Sequence, residues 1–193
     1  MDSDSKYFID TLNEISNQID QITKSIIWND ILSLIDLILN VNKENNRIFI
    51  YGAGRSGFIG RCFAQRLMHL GIKSCFISDA VTYRYTNNDL LIIISGSGET
   101  TSPLAISKKS KDIGGKLILL TNNPNSSIGK ISDLVINVHA KSKDKFKSIK
   151  SLAPYTSLFD ISVLSILDAI GGILMKKLGL KEQDIDKFHA SLE

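Results

Sequence analysis

Two short segments of this sequence carry residues suited to holding an anion. One is Gly52-Ala53-Gly54-Arg55-Ser56-Gly57, and the other is Ser95-Gly96-Ser97-Gly98-Glu99-Thr100. Glycines let a backbone turn sharply and approach a ligand closely, and a helix that starts just beyond offers unpaired amides and the positive end of its dipole. The first segment alone reads as GxGxxG, the dinucleotide fingerprint, with Asp79 where a ribose-binding acid would fall. It reads equally as a tight strand-to-helix turn. The second segment shifts the balance. Hydroxyls on Ser95, Ser97 and Thr100 precede a helix with Ser102 and Pro103 at its start, so hydroxyls and amides can converge on one small anion. A terminal phosphate monoester needs that arrangement, whereas a dinucleotide has no special need of it. One or two of these hydroxyls are expected to serve as helix caps. Glu99 beside them reads either as a substrate-side acid or as a solvent-facing acid at a helix start.

The elements that must position these segments follow from hydrophobic spacing. Aliphatic runs at Arg47–Tyr51, Lys73–Ile77, Leu90–Ile94, Lys116–Leu120 and Leu134–Val138 predict strands. Helical stretches lie between them at Ser56–Leu70, Ser102–Ile113 and, briefly, Ser126–Ile131. Continuous aliphatic strands suit a parallel sheet covered on both faces, and repeated strand–helix units predict a doubly wound α/β fold. Ligands of such sheets bind beyond the carboxyl ends of the strands, where strand order reverses. The two segments follow the first and third strands, where that crevice is expected. Upstream, Ile15, Ile19 and Ile22, then Ile31, Leu34, Ile35, Ile38 and Leu39, predict two amphipathic helices between Ser5 and Val41, parting near Trp28–Asp30. Downstream, Ser157–Leu178 predicts a long helix, apolar on nearly every side, which sheet, helix or another subunit must bury. Its Gly171-Gly172 pair points to close backbone approach, in the core or at an interface. The whole reads as one domain: N-terminal helices at 1–45, an α/β core at 46–140, a basic loop at 141–155, and a helix and tail at 156–193.

Composition narrows the function classes. With 193 residues, 43% hydrophobic and 22% charged, wholesale disorder is excluded. The longest unbroken apolar run is Leu90–Ile94, and the start, MDSDSKYFID, shows neither a basic stretch nor an apolar segment. The expectation is a cytoplasmic protein with no membrane partner. A net charge of +3 argues against nucleic acid, and the lysine cluster Lys141–Lys150 reads as a solvated loop, or as a field that concentrates small phosphorylated substrates. Cys62 and Cys75 are too few for a disulfide framework and are expected to be buried thiols. No HExxH, paired cysteines or carboxylate cluster appears, so no metal is expected. Ser157-x-x-Asp160 reads as a capping box, His69 as a cation ending a helix, and His139 as a surface residue.

The stretch YGAGRSGFIGRCFAQRLMHLG, Tyr51 to Gly71, together with ISGSGETTS, Ile94 to Ser102, resembles the sugar isomerase (SIS) domain. Within that superfamily the chain is similar to the 6-phospho-3-hexuloisomerases, and its ending, Phe188-His189-Ala190-Ser191-Leu192-Glu193, resembles their RHANLE-like terminus. The resemblance spans essentially the whole chain. It implies a flavodoxin-like five-stranded sheet, a homotetramer with active sites near subunit interfaces, no cofactor, and interconversion of 3-hexulose 6-phosphate and fructose 6-phosphate in the ribulose monophosphate pathway. It also implies that Ser56, Ser95, Ser97 and Thr100 bind phosphate, and that Gly52, Gly54, Arg55 and Gly57 form the substrate loop. The family's base is a Glu at the start of the long C-terminal helix. Here Pro154-Tyr155-Thr156-Ser157-Leu158-Phe159-Asp160 places Asp160 there, without a clear Gly-Thr pair before it. On this resemblance Asp160 shuttles the proton through a cis-enediolate with His189 assisting, and His69 and Glu99 are second-tier candidates. Three rivals remain: a non-catalytic sugar-phosphate module, an aldose–ketose isomerase such as one acting on arabinose 5-phosphate, and a small dinucleotide-binding protein.

Overall fold

A computed structural model describes residues 2–140 and 151–188. Helices α1 (Ser3–Ser25) and α2 (Trp28–Lys43) lead into β1 (Ile48–Gly52), α3 (Arg55–His69), β2 (Ser74–Phe76), β3 (Leu90–Ile94), α4 (Thr101–Ile113) and β4 (Lys116–Thr121). A single 3-10 turn, Gly129–Ile131, precedes β5 (Leu134–Asn137). Then come α5 (Ser157–Lys177), α6 (Glu182–Ile185) and a second 3-10 turn at Asp186–Phe188. The five strands are parallel in the order β2-β1-β3-β4-β5, the flavodoxin-like arrangement.

Alternation along each strand splits the core in two. Ile48, Ile50, Leu90, Ile92, Ile94, Ile118 and Leu120 face one side, which α2, α3 and α5 cover. Phe49, Leu91, Ile93, Leu117 and Leu119 face the other, covered by Leu104 and Ile106 of α4 and by Ile128. Both faces are apolar because both are covered, which explains the unbroken aliphatic strands.

Several expectations need correction. The first two helices part at Ile26–Ile27, just before the expected Trp28–Asp30, and Trp28 opens α2. The predicted helix at Ser126–Ile131 shrinks to one 3-10 turn. Cys62 is exposed and Cys75 half-buried, because the helical period turns Gly60, Phe63 and Leu67 inward and leaves Cys62 outside. The capping box at Ser157 does not form: Thr156 is the N-cap and makes no capping bond to the helix amides. By length and composition α5 is apolar enough to cross a membrane, although its unbroken apolar runs are short. It packs instead against α1, α2 and α3. The close approach at Gly171 is to α3, since a β-carbon there would stand 3.0 Å from Cγ of Arg66, while Gly172 faces open space. The lysine cluster at 141–150 lies outside the described residues.

Candidate functional site

Strand order reverses between β1 and β3. From β1 the chain crosses to β2 on one side, and from β3 it crosses to β4 on the other. Gly52 pairs with Ile94, so the segments leaving these strands start side by side. Three helices, α3, α4 and α5, begin at this end of the sheet or against it.

The first loop is shaped by its glycines. Gly54 sits at φ 56° and ψ −129°, a region that only glycine visits readily. A β-carbon on Gly57 would lie 2.6 Å from the Gly52 carbonyl oxygen, so the loop closes only with glycine there. Arg55 then opens α3 with its side chain 64% exposed. Its Nε donates to Oδ2 of Asp160 at 3.0 Å, and Ser56 Oγ donates to Oδ1 at 3.0 Å. Thr156 Oγ1 gives a third bond to Oδ2, at 2.8 Å. Asp160 is 1% exposed, so its carboxylate is buried among these three donors. Asp160 thus joins the first loop to the start of α5, across 104 and 105 positions of chain. Thr156, in the left-handed region at φ 67°, was not singled out from the sequence; a hydroxyl at the residue before a helix was the available signal.

The second loop has a different character. Thr100 is the N-cap of α4 but makes no side-chain capping bond, so the expected diversion of hydroxyls to capping does not occur there. Ser95 Oγ and Ser97 Oγ each lie 3.5 Å from Thr100 Oγ1, gathering three hydroxyls at one helix start. Ser95 also accepts from Gly98 N at 3.2 Å, and Ser97 from Glu99 N at 3.2 Å. Ser95 Oγ donates toward Thr100 Oγ1, and one of the Ser97 and Thr100 hydroxyls donates toward the other, both at the 3.5 Å limit of a hydrogen bond, so an anion can replace these long contacts with shorter ones. The first-turn amides of α4 have no intrahelical partners, which adds donors of the same polarity. Phe159 of α5 lies against Gly96.

The structure therefore gathers Ser95, Ser97 and Thr100 and commits Ser56, with its single proton, to Asp160. Glu99 is exposed, and its Oε1 accepts from Ser127 N at 2.7 Å. Hydrogen bonds from the Ser127 hydroxyl and amide, helped by Lys130, hold its carboxyl below the usual value. His69 stands in the last turn of α3, ~20 Å from Ser56 at 1.5 Å per residue. His139 is exposed. His189 lies outside the described residues, but Phe188 before it packs on Gly71, just past the end of α3 remote from the first loop. Asp79 accepts from Arg61 Nε at 3.0 Å, so the acid a dinucleotide would need is already paired. Among the described residues no group of three His, Cys, Asp or Glu could hold a metal ion.

The sequence pattern of the SIS domain matches residues 42–165. A 3-hexulose-6-phosphate isomerase of Methanocaldococcus jannaschii is 40% identical over 189 residues, covering 95% of this chain and 98% of that protein. One from Bacillus subtilis is 38% identical over 190 residues, covering 98% of each. Among solved structures, an Escherichia coli CFT073 protein in complex with arabinose 5-phosphate superposes with a TM-score of 0.79 at 26% identity, covering 98% of this chain and 100% of that one.

Proposed function

The chain belongs to the SIS domain family, and from that premise we propose that it is a sugar-phosphate isomerase interconverting D-arabino-3-hexulose 6-phosphate and D-fructose 6-phosphate. The observation that carries this reading is the cluster of Ser95, Ser97 and Thr100 at the uncapped start of α4, a built cradle for one phosphate monoester. It stands in a chain that shares 38–40% identity with two isomerases of that name over nearly its full length.

Moving the carbonyl from C3 to C2 takes the proton from C2, forms a cis-enediolate, passes the hydroxyl proton from O2 to O3 and returns a proton to C3. The substrate is its own oxidant and reductant, so the step balances without a cofactor. Asp160 carries the proton in this proposal, with His189 assisting. To reach the substrate Asp160 exchanges the Ser56 hydrogen bond for the sugar, which frees the Ser56 hydroxyl for the phosphate. Arg55, held by its Nε, leaves its terminal nitrogens to face the developing negative charge.

We further propose a cytoplasmic homotetramer of the ribulose monophosphate pathway, serving formaldehyde assimilation, with neither nucleic acid nor membrane as partner and sites shared between subunits. Phe188 on Gly71 supports the sharing, because it anchors the tail at the wrong end of α3 for its own cradle. The Escherichia coli complex favours a second reading, an aldose–ketose isomerase of the arabinose 5-phosphate kind.

The deciding experiment is turnover of 3-hexulose 6-phosphate by the purified protein, with fructose 6-phosphate raising the melting temperature and NAD leaving it unchanged. Turnover of arabinose 5-phosphate alone selects the second reading, and stabilisation without any turnover leaves a binding module. Mixing Asp160→Asn and His189→Ala protomers tests sharing: activity recovers if one site draws on two subunits. Its absence, once subunit exchange is demonstrated, removes the sharing.

A further inference from the structure

The second loop rests on a floor made by the end of β4 and the segment that follows it. The Gly96 carbonyl accepts from Thr121 Oγ1 at 3.1 Å and from Asn122 N at 3.0 Å. The Ser97 carbonyl accepts from Asn123 Nδ2 at 3.3 Å, and the Gly98 carbonyl from Ile128 N at 3.2 Å. Thr121 is fully buried, and its hydroxyl also accepts from Asn123 N at 3.0 Å, so it fixes the residue that holds Ser97. Three consecutive carbonyls of the cradle are thereby drawn toward one side. Gly98, at φ 65°, has room for no side chain above Ser126, which keeps the loop pressed to this floor.

In a trans peptide the carbonyl and the following N–H point in opposite directions. Pulling the Gly96 carbonyl down onto Thr121 therefore turns the Ser97 N–H up, away from the floor and toward the crevice. That N–H has no partner among the described residues, whereas the Gly98 and Glu99 amides are spent on Ser95 and Ser97. A free amide beside three hydroxyls completes a donor set for a phosphate.

Resting on the sugar-phosphate reading above, we propose that Thr121 and Asn123 are positioning residues for phosphate recognition. They touch no substrate. They hold the Gly96 and Ser97 carbonyls so that the Ser97 amide and hydroxyl face the anion. Neither residue belongs to the two glycine-rich segments: Thr121 ends the neighbouring strand β4, and Asn123 lies in the loop that leaves it.

The test uses Thr121→Val, which keeps the shape and loses both hydroxyl bonds, Thr121→Ser, which restores them, and Asn123→Ala at the loop surface. KM for the hexulose phosphate is expected to rise roughly fivefold or more in Thr121→Val and Asn123→Ala, as for the loss of a hydrogen bond, with a smaller change in kcat. The melting shift produced by fructose 6-phosphate or by inorganic phosphate should shrink in the same two variants and return in Thr121→Ser. Should Thr121→Val fail to fold, Asn123→Ala and Thr121→Ser carry the comparison. An unchanged KM in Asn123→Ala, while Ser97→Ala raises it, overturns the positioning role and leaves the cradle standing. A parent protein that neither fructose 6-phosphate nor inorganic phosphate stabilises overturns the phosphate reading itself, and the inference with it.

Discussion

Replacing Asp160 by Asn separates the two duties this residue can have. Its carboxylate accepts from Arg55, Ser56 and Thr156 at 3.0, 3.0 and 2.8 Å in a site only 1% exposed. An Asn keeps its carbonyl oxygen toward Arg55 and Thr156 and turns its NH2 toward Ser56, whose hydroxyl changes from donor to acceptor. The bond count is conserved and the charge is lost. Hydrogen bonds to charged groups contribute roughly 1.5–3 kcal/mol against roughly 0.5–1.5 for neutral ones, and water at the largely exposed Arg55 offsets part of the difference. The expected loss of stability is about 1–2 kcal/mol, or roughly 2–8 °C in Tm for a chain of this size. The catalytic consequence is much larger: removal of a general base lowers kcat at least about a hundredfold. Thermal melting and steady-state turnover of 3-hexulose 6-phosphate read the two separately. A lowered Tm with kcat unchanged shows that Asp160 only anchors Arg55 and Ser56, and the base is then sought at His189, His69 or Glu99. Unchanged Tm and unchanged kinetics refute the network reasoning as well. Asp160→Glu sharpens the comparison. By sequence it restores the family's reach and should preserve or improve activity, but in the structure its extra methylene enters a filled site, where overpacking costs roughly 1–3 kcal/mol.

Two other outcomes follow from the same geometry. Ser97→Ala removes a hydroxyl that the proposed function assigns to the phosphate, a bond worth roughly 1.5–3 kcal/mol, and the loss is expected mainly in KM; Ser56→Ala should cost less, because its bond to the phosphate is gained only by giving up the one to Asp160, and unchanged kinetics for both place the phosphate elsewhere. The lowered carboxyl of Glu99 ties the second loop to Ser127 while it is ionised, so its contribution is present above the ordinary value of 4.5 and is lost as pH falls through its lowered one. The gap in Tm between the parent protein and Glu99→Gln should therefore narrow as pH falls below 4.5, and a gap that does not depend on pH removes the ionic tether.

What could be read from the sequence was what short-range physics controls. Apolar runs marked all five strands to within a residue or two, because burial demands them, on both faces in the three central strands β1, β3 and β4. The two glycine- and hydroxyl-rich segments announced strand-to-helix turns fit for an anion, because backbone freedom and helix dipoles act over a few residues. Helix ends were less legible: the capping box at Ser157 was plausible locally, yet Asp160 found partners in Arg55 and Ser56 about a hundred positions away. Only the tertiary structure could decide that Ser56 is committed while Ser95, Ser97 and Thr100 are gathered, that Thr121 and Asn123 form the floor, and that Phe188 returns to Gly71. Periodicity reports which side of an element is buried but not which element lies opposite. A side-chain hydrogen bond reaches only about 3 Å, so its partner is chosen by the packing of the whole sheet and its helices.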